Sequence, residues 1–334
     1  MALINKNSPF IIAEIGNNHE GSFNLAKKLI IAAAKTGVDA VKFQTFQTEK
    51  FINPKDKIKF KKFKRFELTK SEFTKLAKLA KKKGLVFIST PFDLSSAVFL
   101  KSLVQLYKIS SGDNNYYQLI KEIIKFKKKI IISTGLLNHH EIHKLIIFFK
   151  NNKFPLSKVF FLHCVSDYPA KDLEANLLSI KFLKEKYKIN VGYSDHTLGI
   201  EACIAATALG AEIIEKHFTI NKNYSNFRDH ALSADLFEMT QLVKSVRRVS
   251  AMLGKYQKKI SVSERKNMNS MRRSLYFNKK IKKNEKILEK NLKIVRPFFQ
   301  VSPLEIKNVI NKFLKIDQDE NMPVLFKNIK ENTK

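Results

Sequence analysis

No stretch of this 334-residue chain approaches the roughly 18 consecutive apolar residues that cross a membrane as a helix, so a helical membrane protein is not expected. The N-terminal MALINKNSPFIIAEIG is broken by Glu14 and lacks a small-residue cleavage site, so it reads as a first strand rather than a signal peptide. There are only two cysteines, Cys164 and Cys203. Both sit in apolar segments without metal or redox spacing, which predicts buried free thiols in a reducing, cytoplasmic setting. Glycine is scarce, with ten residues and none after Gly254. Neither a glycine-rich phosphate loop nor a Rossmann fingerprint is present, which points any anion site toward a small phosphate or carboxylate rather than a nucleotide. No Ser-His-Asp nucleophile elbow and no activated cysteine can be made out, and Cys164 beside His163 reads as packing. Acidic residues are few, 30 against 62 basic, for a net charge of +32. Only eight of the basic residues are arginine. The lysines are spread over helix faces such as AKLAKKKG and KEIIKFKKK rather than gathered with aromatics. That is a solvated, lysine-biased surface that can also attract anionic substrates, and not a nucleic-acid footprint.

What the chain does contain is regular. Apolar, β-branched runs alternate with segments of helical period, and the pattern repeats eight times. The strands are expected at 10–16, 40–45, 85–90, 106–112, 129–135, 159–166, 190–196 and 211–219. Near-continuously apolar strands between amphipathic helices predict a covered parallel sheet. Eight such units within about 250 residues predict a (β/α)8 TIM barrel over 1–254, with an open doubly wound sheet as the alternative. Polar residues recur at the C-terminal ends of the strands: Glu14, Lys42, Gln44, Thr90, Lys108, Ser110, Ser111, Asp113, His163, Ser166, Ser194, Asp195, His196, Glu215 and His217 among them. In a barrel these ends converge on one mouth, where active sites sit. Residues 255–270 read as a polar linker. Residues 271–334 read as a small α/β unit with strands SLYFNKKI, KILEKNLKIV and MPVLFKNI and a helix SPLEIKNVINKFL.

Three groups can carry chemistry. His196 and His217 close consecutive strands, whose ends lie about 4.8 Å apart. A divalent ion with metal–nitrogen distances of about 2.0–2.2 Å fits between them; the other reading is a strand cap and a satisfied core histidine. Lys42 and Lys108 lie inside apolar strands, where an unpaired ammonium is costly. They serve either a bound anion, helped by the hydroxyls of Thr90, Ser110, Ser111 and Ser194, or a Lys–Glu pairing with Glu14 or Glu215. Glu14 and Asp113 are placed for proton transfer or hydroxyl recognition, or for pairing with those lysines.

At these residues the chain resembles the sialic acid synthase family. The matching motifs are IIAEIGNNHEGS (11–22), AVKFQTF (40–46), FISTPFD (87–93), YKISSGDNNYY (107–117), ISTG (132–135), LHCVSDYPA (162–170), VGYSDHTLG (191–199) and EKHFT (215–219). The match continues into RRSLYFNKKIKKNEKI (272–287). The resemblance implies a TIM barrel followed by an antifreeze-protein-like (SAF) domain at 271–334, swapped over the partner's active site in a homodimer. It implies condensation of phosphoenolpyruvate (PEP) with an N-acetylated amino sugar, without nucleic-acid or membrane partners. His196 and His217 would hold manganese or magnesium. Lys42, Thr90, Lys108, Ser111, Ser166 and Ser194 would hold PEP. Glu14, Gln44, Asp113, Tyr168, Asp229 and Arg296 would face the open-chain sugar, and Glu14, Lys108 and His217 would be the catalytic groups. The chain departs from the family pattern in several places. Asp113 replaces a Glu of some members, Ser166 an Asn, and Phe298 the glycine after Arg-Pro. NYSNFRDH replaces a Gly-Pro-rich segment before Asp229, and Asn284 stands at a turn usually taken by glycine. The alternatives are a PEP-dependent aldol synthase using a sugar phosphate, and a basic nucleic-acid or carbohydrate-binding protein on a barrel scaffold.

Overall fold

In a computed structural model describing residues 8–331, the chain divides into two compact units, Met1–Gly254 and Lys255–Lys334. The part of the leader reading that concerns residues 1–7 lies outside the described residues.

The first unit contains eight parallel strands: β1 (Phe10–Gly16), β2 (Ala40–Thr45), β3 (Val86–Pro91), β4 (Leu106–Ile109), β5 (Lys129–Ser133), β6 (Val159–Cys164), β7 (Asn190–Asp195) and β8 (Ile213–His217). Their ladder order is β3-β2-β1-β8-β7-β6-β5-β4, and β3 and β4 adjoin at the seam, giving a near-closed barrel. Helices run between the strands and end where the chemistry of the sequence says they should. Ser22 caps helix Phe23–Thr36 by accepting from the Leu25 N–H, and Gly37 stops it at a φ of 85°. Thr69 with Glu72, and Asp235 with Glu238, form capping boxes on helices Lys70–Lys82 and Leu236–Leu253. Among the described residues no helix is long and apolar enough to cross a membrane.

Period two along each strand sorts its side chains into two layers. One set (Ala13, Val41, Phe43, Tyr107, Phe161, Ile214) packs against the helices. The other fills the barrel, where Phe10, Ile12, Ala40, Ile88, Leu106, Ile131, Phe160, Leu162 and Ile213 form an apolar floor. Continuing the inward set toward the strand C-termini reaches Glu14, Lys42, Lys108, Ser133, Ser194, Glu215 and His217. The polar groups are therefore the top layers of the same inward-facing columns. His163 has the opposite parity. It faces the helix layer, where its Nε2 lies 2.8 Å from the Ala175 carbonyl, and so it does not belong to the mouth.

The second unit has its own core of Leu275, Phe277, Ile281, Ile287, Val301, Val309, Leu314 and Val324. Its strands are shorter than the sequence suggests: β9 (Ser274–Phe277) pairs antiparallel with β10 (Leu292–Val295), and β11 (Phe313–Leu314) with β12 (Ile329–Lys330). The expected helix SPLEIKNVINKFL is a 3-10 segment, Pro303–Asn308, capped by Ser302 and Glu305. The expected linker contains a helix, Val262–Met271, held by a Ser261–Glu264 capping box and burying none of its residues. Asn284 takes the left-handed turn at φ 64°, as its place in KKNE suggests.

Candidate active site

The barrel mouth opens into a cavity of about 510 Å³. At its base two buried carboxyls alternate with two buried lysines. Glu14 lies opposite Lys42 in the β1–β2 register, and its carboxylate is 2.7 Å from the Lys42 ammonium. Lys42 is also 3.7 Å from Glu215, and Glu215 is 3.1 Å from Lys108. Hydroxyls and amides extend the chain. Ser194 donates to Glu215 at 2.9 Å, Lys42 to Thr90 at 3.5 Å, and Asn17 to Gln44 at 2.7 Å, while Gln44 donates to Glu14 at 3.3 Å.

This arrangement separates two chemically identical carboxyls. Burial would raise Glu215, but Lys108 and Lys42 on either side hold it down at about 2. Burial dominates at Glu14 and raises it above the usual carboxyl value, despite Lys42. Burial likewise lowers Lys108. A pair of carboxyls pushed in opposite directions is the pattern of a site in which one carries charge and the other carries a proton.

A second cluster contains the two histidines, with ring centroids 5.6 Å apart. His196 Nδ1 lies 2.6 Å from the Val165 carbonyl, an acceptor only, so that nitrogen carries a proton and Nε2 is the nitrogen left for a metal. His217 Nδ1 is buried and has no partner among the described residues. Burial, then His196 and Lys42, push His217 well below the usual histidine range, keeping it neutral. Against its burial, Cys164 and the Val165 carbonyl hold His196 above the usual histidine range, so a divalent ion held between the two rings would displace any proton on His196 Nε2 and meet His217 already neutral. No group of three His, Cys, Asp or Glu that could hold a metal exists among the described residues, so remaining ligands would come from substrate and water.

Tyr168 stands over both rings, 4.1 Å from His196 and 6.0 Å from His217. Arg228 lies over Tyr168 at 4.6 Å and donates to Asp229 at 3.3 Å. Asp229 is thus in the cavity wall, despite the unusual segment before it. A third group of hydroxyls surrounds Gly135. A Cβ there would lie 2.3 Å from Ser166 Oγ and 2.6 Å from Ser111 Oγ, so the absence of a side chain keeps a polar recess open. The Ser166 and Ser133 hydroxyls are buried without partners among the described residues.

The mouth therefore gathers Glu14, Lys42, Gln44, Thr90, Lys108, Ser111, Tyr168, Ser194, His196, His217 and Asp229 in one wall, with Ser166 behind Ser111. Asp113 is not in that wall; it accepts from Ser110 within the turn Ser111–Asp113. Arg296 lies in the second unit. Cys164, expected as packing, lines the cavity 3.7 Å from His196 Nδ1. Glu215, Ser133 and Arg228 also face the cavity, and the resemblance assigned none of them. Glu215 was legible, being two residues before His217 on one strand face. Arg228 was not, because it opens a five-residue helix, Arg228–Leu232, too short to show a period.

Comparison with known proteins gives a consistent picture. The NeuB family model matches residues 29–258. The chain is 40% identical over 316 residues to the N,N'-diacetyllegionaminic acid synthase of Campylobacter jejuni subsp. jejuni, covering 90% of this chain and 94% of that one. It is 37% identical over 318 residues to the pseudaminic acid synthase of the same organism, covering 91% of each. Among solved structures, the N-acetylneuraminic acid (sialic acid) synthetase from Leptospira borgpetersenii serovar Hardjo-bovis, in complex with citrate, matches with a TM-score of 0.74 and 37% identity. That match covers 79% of this chain and 92% of the other.

Proposed function

This chain belongs to the NeuB family of sialic acid synthases, and from that premise we propose that it condenses PEP with a 2-acetamido aldose, giving a nine-carbon 2-keto acid and inorganic phosphate. The observation that carries this reading is the alternating chain Glu14–Lys42–Glu215–Lys108 beside the paired rings of His196 and His217. A neutral-sugar binding protein has no need of buried lysines, whereas PEP brings a carboxylate and a phosphate into the same space.

Lys42 and Lys108 would offset the charge of PEP, and the hydroxyls of Thr90, Ser111, Ser133, Ser166 and Ser194 would donate to its oxygens. Held in this way, C3 of PEP faces the sugar aldehyde carbon and forms the new C–C bond. Water adds at C2, and the bond from C2 to the phosphate oxygen breaks, leaving the ketone and phosphate. Glu14 is the group suited to supply a proton to the former aldehyde oxygen, since it is the carboxyl held upward by burial. Gln44 fixes its orientation. His196 and His217 would hold a divalent manganese or magnesium ion, whose Lewis acidity polarises the aldehyde when bound.

Tyr168, Arg228 and Asp229 form the polar side of the acceptor space, and Phe51, Ile52, Phe63, Phe92 and Phe227 an apolar side. That apolar side supports an acceptor rich in methyl groups, a 2,4-diacetamido-trideoxy hexose before N-acetylmannosamine or its 6-phosphate. The antifreeze-protein-like nature of the second unit, its exchange in a homodimer, delivery of Arg296 to the partner's mouth and the cytoplasmic setting rest on the resemblance and composition.

The experiment is phosphate release from PEP with each of these sugars, with and without chelator. The expected result is release with at least one 2-acetamido sugar, abolished by chelator and restored by Mn²⁺. Failure with every 2-acetamido sugar in metal-replete buffer overturns the proposal. Release only with erythrose or arabinose phosphates transfers the chain to the sugar-phosphate alternative.

A further inference from the structure

Asp195 and Lys216 immediately precede His196 and His217, and they are cross-strand partners in the β7–β8 register. Their parity is opposite to that of the inward-facing column, so both side chains lie outside the barrel, between the strands and the helices. There they form an ion pair of 2.6 Å with both side chains almost completely buried.

We propose that this Asp195–Lys216 pair is a positioning device that sets the separation of the two histidines, acting through the backbone from the far side of the barrel wall. The inference rests on the metal reading given above.

The network around the pair is directed at the residues flanking His196. Lys216 Nζ also donates to the Thr197 carbonyl at 2.8 Å. Asp195 Oδ1 accepts from the Thr197 N–H at 2.9 Å, from its hydroxyl at 2.8 Å and from Tyr193 OH at 3.1 Å. Its Oδ2 accepts from the Cys203 thiol at 3.2 Å, tying in helix Glu201–Ala208. The backbone of His196 is thus held on both sides, at 195 and at 197, by a charge carried on β8. No side-chain atom of Asp195 or Lys216 is left buried without a partner among the described residues.

The two histidines differ in how they are held. The His196 ring is oriented by the Val165 carbonyl, the usual way a metal-binding imidazole is fixed through its second nitrogen. The His217 ring has no such partner among the described residues, and its Nδ1 is buried and unpaired. Its placement therefore depends on its backbone. Lys216 is the adjoining residue, and a slip between β7 and β8 would break the ion pair.

The test is Mn²⁺ affinity of the metal-stripped full-length protein, read by electron paramagnetic resonance of free Mn²⁺, with thermal melting as a check on folding. Asp195→Asn with Lys216→Met removes both charges at nearly constant shape. A fall in Mn²⁺ affinity of about 10–100-fold is expected, with PEP binding in metal-free buffer unchanged because Lys42 and Lys108 lie on the other face. Unchanged Mn²⁺ affinity in the folded double variant overturns the proposal. Should that variant not fold, Asp195→Asn alone is measured, and unchanged affinity there overturns it equally. If the unaltered protein and His217→Ala both fail to bind Mn²⁺, the metal reading itself is wrong and this inference falls with it.

Discussion

Glu14 and Glu215 show how position alone gives one residue type two behaviours. Both are buried on neighbouring strands, β1 and β8, yet Glu215 has a lysine on each side and Glu14 has essentially one. For Glu215 the folded-state value, about 2, lies below the ordinary 4.5. Its contribution to stability is therefore complete above about pH 4.5 and lost as pH falls toward 2. Glu14 is raised, so its contribution has the opposite sign: it is complete below the ordinary value and declines as pH rises through the folded one. Urea unfolding across acid pH should show stability falling between about pH 4.5 and 2 in the unaltered protein. Glu215→Gln should lower stability at neutral pH by about 3–5 kcal/mol, because Lys108 is left buried with its partner removed. It should also flatten the slope in the acid window, and an unaltered slope would remove Glu215 from this role.

At the scale of elements, the barrel strands were readable because they are long, apolar and of constant period. Period two then carries more than strand identity. It predicts that Gly192, in step with Ser194 on β7, points into the barrel. A Cβ there would stand 2.5 Å from Leu162 Cδ2 and 2.7 Å from the Ile213 carbonyl. Gly192→Ala should therefore destabilise by about 1–3 kcal/mol through overpacking, measured by urea midpoint at unchanged slope. A neutral effect would mean that the floor of the barrel gives way easily. The second unit was less legible for the converse reason. Its strands are two to four residues long and its 3-10 turns have no sustained period, so local patterning overstated both strand and helix. The segment 255–270 looked like a linker because its helix buries nothing and so shows no apolar stripe.

For the molecule as a whole, the excess of lysine reaches the active-site mouth through Lys59, Lys62 and Arg228, which line the cavity above the buried charges. A positive rim around a concave site raises the local concentration of an anionic substrate. The kcat/KM for PEP should accordingly fall as ionic strength rises, while the KM of a neutral acceptor sugar stays nearly constant. Equal salt dependence for both substrates would show that the surface charge does not steer. The described residues form three apolar clusters, two in the first unit and one in the second.

The sequence by itself determined the eightfold alternation, the inward columns and most of the residues that crown them. Strand period and side-chain type are local properties, and each motif could be read on its own. Only the tertiary structure decided which charges meet. Closing the ring brought β8 beside β1 and Glu215 between two lysines more than a hundred residues away, and it placed the Asp195–Lys216 pair behind the histidines. It also left Asp113 outside the cavity wall and brought Arg228 in at the start of a short helix. Those outcomes depend on distances of a few ångströms between segments remote in the chain, and no local pattern encodes them.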